Sequence, residues 1–283
     1  MKKILVTGAG GFIGKHLVND LFRHGYCVTG LVREAGTVSL PCPVVEADLA
    51  EAINVPWYGD IIIHAAGRIP FAGVTAREYK RDNIDAMERL LDFAKARNVK
   101  LLVFLSTTDV YGRKNRKVLD ENTEKVLDEN TEYGISKYYA ERLLKENGVV
   151  NYVILRLPGI FGKGVGNTWL ARAIDNLEQN KAVEVYSADF ASNNFLAVED
   201  LVKFIRTIIS SAICNDIFIL GNEERVQIID MVNFLKNEMR SRSQIVVKES
   251  NIVPFSINVD HAVEAGFSST GFHTMARRFL AEK

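Results

Sequence analysis

The chain has 283 residues, 47% hydrophobic and 25% charged, which is enough apolar material for one large domain or two unequal ones. Lys plus Arg equals Asp plus Glu at 35 each, so no net field draws the protein to nucleic acid or to an anionic membrane. Three cysteines, Cys27, Cys42 and Cys214, cannot all pair, no apolar run approaches the ~20 residues that cross a bilayer, and Met1 leads straight into a strand pattern; the expectation is a reduced, cytoplasmic protein.

The first strand is predicted over Lys2–Val6, KKILV, followed by TGAGGFIG and the helical pattern FIGKHLVNDLFRHG. Gly8 suits a tight turn, Gly11 lets a phosphate approach the backbone with no Cβ between, and Gly14 lets the helix lie close to the strand. The free N–H groups and positive dipole end at the helix start favour an anion there. Glycines placed directly after the first strand predict a dinucleotide cradle rather than a plain strand-to-helix junction.

Apolar runs at Cys27–Val32, Asp60–Ala65, Lys100–Leu105 and Asn151–Leu155 alternate with helical stretches, clearest over Ala76–Ala96 and Lys137–Glu146. Such alternation predicts an α/β fold, a doubly wound parallel sheet of Rossmann type, with its ligand across the carboxyl ends of the strands. Polar residues gather at that edge: Asp48 after VVEA, Ala65 to Ile69 after IIIH, and Ser106, Thr107 and Thr108 after VFL. Cys27 is expected to open a buried strand.

At the end of the second strand, where an acidic residue would hydrogen-bond the adenosine ribose, stand Val32 and Arg33. Arg33 can pair with a 2′-phosphate, which favours NADP over NAD, although Glu34 offers it another partner. Farther on, Tyr133 and Lys137 lie one helical turn apart in YGISKYYAERLL. An ammonium there favours the phenolate, so Lys137 is expected to lower the pKa of Tyr133 from about 10, and Thr107 is the hydroxyl placed to polarise a substrate carbonyl. The five histidines, at 16, 24, 64, 261 and 273, show no metal-ligand spacing; no metal is expected, and His64 is expected to pack beside the cofactor.

KVLDENTE occurs twice without change, at 117 to 124 and 125 to 132. Two copies are too few to stack as a repeat. The expectation is a lengthened surface loop, in which the second copy supplies the acidic turn before Tyr133 and the first is an extra, solvated, mobile excursion. Past Gly162 the alternation loosens into a helix within NTWLARAIDNLEQNK, a strand in AVEVYS, a helix in NNFLAVEDLVKFIRTIIS, a strand in DIFILGN, a helix in IIDMVNFLKNEM and a closing helix. The predicted boundaries are residues 1–162 plus about 192–214 for a dinucleotide-binding domain, and about 163–191 plus 215–283 for a smaller, discontinuous α/β substrate region.

These motifs together resemble the extended short-chain dehydrogenase/reductases, the branch of nucleotide-sugar epimerases, dehydratases and 4-keto reductases. The resemblance runs from Met1 to about Ala212 and more loosely beyond. It implies cofactor contacts at Gly8, Gly11, Phe12, Ile13 and Gly14 of TGAGGFIG, at Asp48 and Leu49 of ADL, at Ala65, Ala66 and Gly67 of HAAG, at Asn83, and at Pro158 of RLPGIFG. It also implies Thr107, Tyr133 and Lys137 as the catalytic group, Tyr133 as acid/base, with Tyr133 and Lys137 touching the cofactor as well. Thr108 and Asp109 would meet substrate, in the place where dehydratases of the family carry acidic residues; Asp109 is one methylene shorter than Glu, which makes dehydration secondary.

Two departures bear on substrate. Sugar-nucleotide members carry Asn where this chain has Gly159, and an Arg on the diphosphate where it has Asn193. Arg156, Lys163 and Arg172 remain as cations for an anionic substrate. The reading is an NAD(P)-dependent oxidoreductase reducing a 4-keto sugar nucleotide, with a nucleotide-sugar 4-epimerase close behind, then a reductase of a non-nucleotide carbonyl or a silent NADP-binding regulator. The family resemblance also implies a homodimer through the helices of Ala76–Ala96 and Tyr133.

Overall fold

The computed structural model describes residues 1–112, 117–128, 130–166, 168–249 and 253–282. It divides into two compact units: Met1–Arg113, Glu124–Arg156 and Ile205–Phe218 form the first, and Lys114–Thr123, Leu157–Phe204 and Ile219–Lys283 the second.

The first unit is built on a seven-stranded sheet whose strands in chain order are β1 Lys3–Thr7, β2 Cys27–Val32, β3 Val44–Glu46, β4 Ile61–His64, β5 Leu101–Thr107, β6 Asn151–Leu157 and β7 Asp216–Ile219. Their spatial order is β7-β6-β5-β4-β1-β2-β3, and β1 pairs in parallel with both β2 and β4. The side on which successive strands are added changes between β1 and β4, the point where a crevice opens at the carboxyl ends of the strands. Ile4, Leu5 and Val6 are fully buried, as expected of a central strand covered on both faces. Cys27 differs from expectation: it stands exposed at the mouth of β2, and burial begins with Val28.

Helix α1, Phe12–Arg23, buries Gly14, Leu17, Val18 and Leu21 on one face. Helix α2 comprises α-turns over Ala76–Tyr79, π-turns over Lys80–Asp85 and α-turns over Ala86–Ala96. It opens with a capping box between Thr75 and Glu78. The π segment carries Asp82 and Asn83, both buried. Helix α3, Glu132–Glu146, starts a turn earlier than the apolar pattern indicates, because the Thr131 hydroxyl accepts from the Gly134 amide and caps it. The core beneath these helices joins Leu5, Ile62, Leu90, Phe104, Leu144 and Ile154.

The second unit has its own core around Phe161, Ile174, Val185, Leu235 and Phe272. Helix Trp169–Glu178, strand Val183–Tyr186 and helix Ile228–Glu238 fall within the segments read from sequence. Its most informative element is unforeseen. Val118–Leu119, in the first KVLDENTE, pairs in parallel with Ser256–Ile257 and buries Leu119, and the Glu121 carboxylate accepts from the Ile219 amide. The first copy is therefore built into a unit, not an excursion, since its alternating Val-Leu pair supplies one inward apolar side chain to a short ladder.

Candidate active site

The cradle closes as the glycines predict. Gly8 sits at φ +65°, and a Cβ there would lie 2.6 Å from the Ala66 amide nitrogen; one at Gly14 would lie 2.1 Å from the Gly8 carbonyl oxygen. Only glycine allows the turn, the β4 edge and α1 to approach this closely. The first turn of α1 has no side-chain cap and no acidic residue, which leaves its N–H groups directed at the crevice. Gly8, Gly11, Arg33, Asp48, Leu49 and Ala65 to Gly67 line one cavity of about 230 Å³. An anionic dinucleotide fits this donor set: bare amides for its phosphates and, for its adenosine end, a wall of Leu31, Val32 and Leu49. Phe12 and Ile13 lie half-buried on the first turn of the same helix.

The polar rim of this cavity is a charged network that sequence reading missed. Asp82 is nearly sealed and takes Arg68 at 2.6 Å, Arg81 at 2.6 Å and Arg33 at 3.7 Å; Arg81 also bonds Asp48. Burial works to raise the Asp48 pKa, yet the Ala50 amide and Arg81 hold it below the ordinary carboxylate value. Asp82 directly precedes the expected Asn83, and both are buried within the π-turn.

Asn83 itself braces the site. Its amide nitrogen donates to the Arg68 carbonyl (3.1 Å) and the Ser136 hydroxyl (2.8 Å), and its oxygen accepts from the Arg68 amide (2.7 Å). These bonds tie the loop after β4 to α3, with both amide hydrogens committed.

Thr107, Tyr133 and Lys137 converge at the end of β5. Thr107 is bonded to Tyr133 and accepts from the Asp109 amide at 3.2 Å. Lys137 is buried, donates to the Leu105 carbonyl at 2.6 Å and lies 4.0 Å above the Phe104 ring. Burial pulls its pKa down to about 7, opposed by Glu141.

Tyr133 departs from expectation. Burial, reinforced by Asp109, pushes its pKa above that of free tyrosine, with only the Thr107 hydrogen bond acting the other way. Lys137 does not lower it here, because the ammonium is turned into the Leu105 carbonyl and the Phe104 face. His64, in contact with the Thr7 hydroxyl at 2.7 Å and stacked on Phe104, is held neutral: burial and then Lys137 lower its pKa to about 3. Among the described residues no cluster of His, Cys, Asp and Glu could hold a metal ion.

Of the remaining expected contacts, Thr108 is buried and Asp109 exposed in the short turn after β5. Pro158, Gly159 and Asn193 belong to the second unit. Asn193 is an internal knot there: its nitrogen donates to the Asn222 and Ile257 carbonyls, both at 2.9 Å, and its oxygen accepts from the Ile257 amide at 2.8 Å. An amide 2% exposed with both hydrogens committed serves the fold, not a substrate phosphate. Arg156 is likewise no surface cation; it is buried against Glu141 and Tyr111.

Known proteins share this architecture. UDP-glucuronic acid 4-epimerase from Bacillus cereus, solved with NAD, superposes with a TM-score of 0.83 at 19% identity over 97% of this chain and 94% of that one. The sequence is 28% identical over 264 residues to the uncharacterized UDP-glucose epimerase YtcB of Bacillus subtilis, covering 83% of this chain and 81% of the relative. It is 26% identical over 245 residues to the UDP-glucose 4-epimerase of Mus musculus, covering 72% and 70%. A family model described as NAD dependent epimerase/dehydratase matches residues 4–221, which takes in the cradle, the π-turn and the Thr107, Tyr133 and Lys137 cluster alike. The chain is an enzyme of the NAD-dependent epimerase/dehydratase family.

Proposed function

We propose that this enzyme moves hydride at one carbon of a sugar nucleotide with NAD(P), and that the net outcome is reduction of a 4-keto sugar. The carrying observation is the convergence of Thr107, Tyr133 and Lys137 at the end of β5 in the unit that holds the glycine cradle. A bound nicotinamide supplies the hydride. Thr107 would orient the substrate oxygen by hydrogen bonding, Tyr133 would give it a proton as the carbonyl becomes an alcohol, and Lys137 would hold the ribose hydroxyls of the bound nicotinamide. The raised pKa keeps Tyr133 protonated at neutral pH, the state from which a proton is given. Val32 and Arg33 at the end of β2 support NADP, a cofactor exchanged at each turnover.

A second reading, 4-epimerisation with retained NAD, is favoured by the names of the relatives, which are UDP-glucose epimerases. Here Tyr133 would accept the proton of the sugar 4-hydroxyl and return it to that oxygen once hydride had come back to the opposite face of the carbon. Two assays separate the readings. UDP-glucose incubated with the purified protein and no added cofactor yields UDP-galactose if the chain epimerises; NADPH absorbance falls on adding a 4-keto sugar nucleotide if it reduces. Neither signal, with no shift in melting temperature on adding UDP-sugars, would refute the sugar-nucleotide assignment. The homodimer belongs to the same proposal, and native mass spectrometry reports subunit count and any retained cofactor together.

A further inference from the structure

Three consecutive residues of β5 fasten three residues of α3 spaced four apart. The Leu105 carbonyl accepts from Lys137 at 2.6 Å, the Ser106 hydroxyl donates to Glu141 at 2.6 Å, and Thr107 is bonded to Tyr133. Four-residue spacing puts Tyr133, Lys137 and Glu141 on one face of the helix, so the lowest of these ties reaches the catalytic pair through a single rigid element. From β6, Arg156 clamps the same carboxylate with two nitrogens, Nε at 3.1 Å and 3.3 Å from the two oxygens and Nη2 at 2.8 Å, while its Nη1 donates to the Tyr111 hydroxyl at 2.8 Å. Glu141 and Arg156 are 2% and 1% exposed. A buried ion pair of this kind is weak support for stability, because dehydrating both charges offsets most of their attraction. Its position one turn below the catalytic lysine calls for another account.

We propose that Glu141 is a positioning residue for Lys137: held by Arg156 and Ser106 one helical turn away, its carboxylate is the negative charge that supports the ammonium where the Leu105 carbonyl holds it. The proposal rests on the cofactor reading only in what the ammonium is for. The groups around Lys137 leave Glu141 as its electrostatic support. From β4 comes His64, which is neutral; from β5 the Leu105 carbonyl and the Phe104 face; from the loop after β4 and from α2 the Gly67 backbone, Asn83 and, beyond it, Asp82, which is occupied by arginines; and from α3 itself Tyr133 and Glu141. Removing the carboxylate therefore releases the proton at lower pH.

The test is direct titration of Lys137 in protein carrying 13C at the lysine Cε, the resonance being assigned by its loss in Lys137→Arg. The wild type is expected to titrate near pH 7. Glu141→Gln shifts that midpoint down by about one pH unit, the effect of losing one nearby opposite charge. Arg156→Met shifts it up, because the freed carboxylate is then shared only between Lys137 and its other cationic neighbour, Lys125, and Glu141→Asp restores most of the wild-type value. A merely structural pair would move both single variants in the same direction, since both break the same bridge. That result, or an unmoved midpoint in Glu141→Gln, overturns the proposal. If a single variant does not fold, Glu141→Gln/Arg156→Met carries no buried unpaired charge and is expected to show the downward shift; an unmoved midpoint there overturns the proposal equally. Fluorescence titration with NADPH supplies a second readout, Glu141→Gln at pH 6 binding as the wild type does at pH 7. If the wild type binds no dinucleotide at any pH, the cofactor reading fails while the lysine midpoints still decide the role of Glu141.

Discussion

Thr123 and Thr131 hold the same place in two identical octapeptides and form different bonds. Thr123 donates to the Asp120 carboxylate at 2.8 Å and accepts from the Asp120 amide at 3.0 Å, closing a turn after Val118–Leu119. Thr131 accepts from the Gly134 amide at 3.0 Å and starts the helix that carries Tyr133 and Lys137. The two copies of KVLDENTE therefore differ through their downstream neighbours: another Lys-Val-Leu after the first, a helical pattern with Tyr133 after the second.

Because Thr131 caps the helix that carries Tyr133 and Lys137, Thr131→Ala should destabilise the first unit by about 1 kcal/mol, and Thr131→Ser should recover it. Urea unfolding measures this. Turnover should fall as well, since Tyr133 is on the first turn. Thr123→Ala uncaps no helix and should leave turnover unchanged; equal losses of turnover in the two variants would contradict the assignment.

Tyr133→Phe keeps the ring against Tyr79, 6.0 Å away, while removing the proton. Hydride transfer should drop about 10²–10⁴-fold with dinucleotide affinity preserved, as measured by steady-state rates beside fluorescence binding. Thr107→Val should act on the same step. A Tyr133→Phe enzyme of undiminished rate would remove the phenol from the chemistry.

His64 sets an acid limit on stability. Its folded pKa of about 3 lies below the ordinary 6.5, so the unfolded chain takes up a proton that the folded chain refuses as pH falls through 6.5. Stability contributed by neutral His64 is complete above pH 6.5 and declines below it, by on the order of 3–5 kcal/mol near pH 3. Chemical denaturation between pH 7 and 4 should show this slope, and His64→Asn should flatten it. An unchanged slope in the variant would place the acid sensitivity elsewhere.

Arg33 is 58% exposed and only 3.7 Å from Asp82, a contact that a phosphate can displace. Arg33→Ala should weaken NADPH binding about tenfold and leave NADH binding unchanged, the size of one charge-assisted hydrogen bond. Val32→Asp should reverse the preference by hydrogen-bonding the ribose and repelling the phosphate. Isothermal titration with both cofactors decides; equal effects on NADH and NADPH would take Arg33 out of the specificity question.

The glycine cradle, the alternating strands and the Tyr133, Lys137 and Thr107 cluster were legible because each depends on local pattern: a missing Cβ, a period, a four-residue spacing. The network of Asp82 with Arg33, Arg68 and Arg81 was not, since its members come from three separate segments and the π-turn that aligns them leaves no clear mark in sequence. Asn193 shows the same limit from the other side. In sequence it stands where a phosphate contact is expected, and only its hydrogen bonds to Asn222 and Ile257 reveal an internal role.

By itself the sequence determined the α/β order of elements and which residues could do chemistry, because hydrophobic period and glycine placement act within a few residues of chain. Tertiary structure decided their charge states. Burial against Phe104 and His64 draws Lys137 down to about 7, and enclosure beside Asp109 raises Tyr133, reversing the influence expected from helical spacing alone. A pKa is fixed by the removal of water and by every charge nearby, and those neighbours come together only when distant strands and helices close around the group.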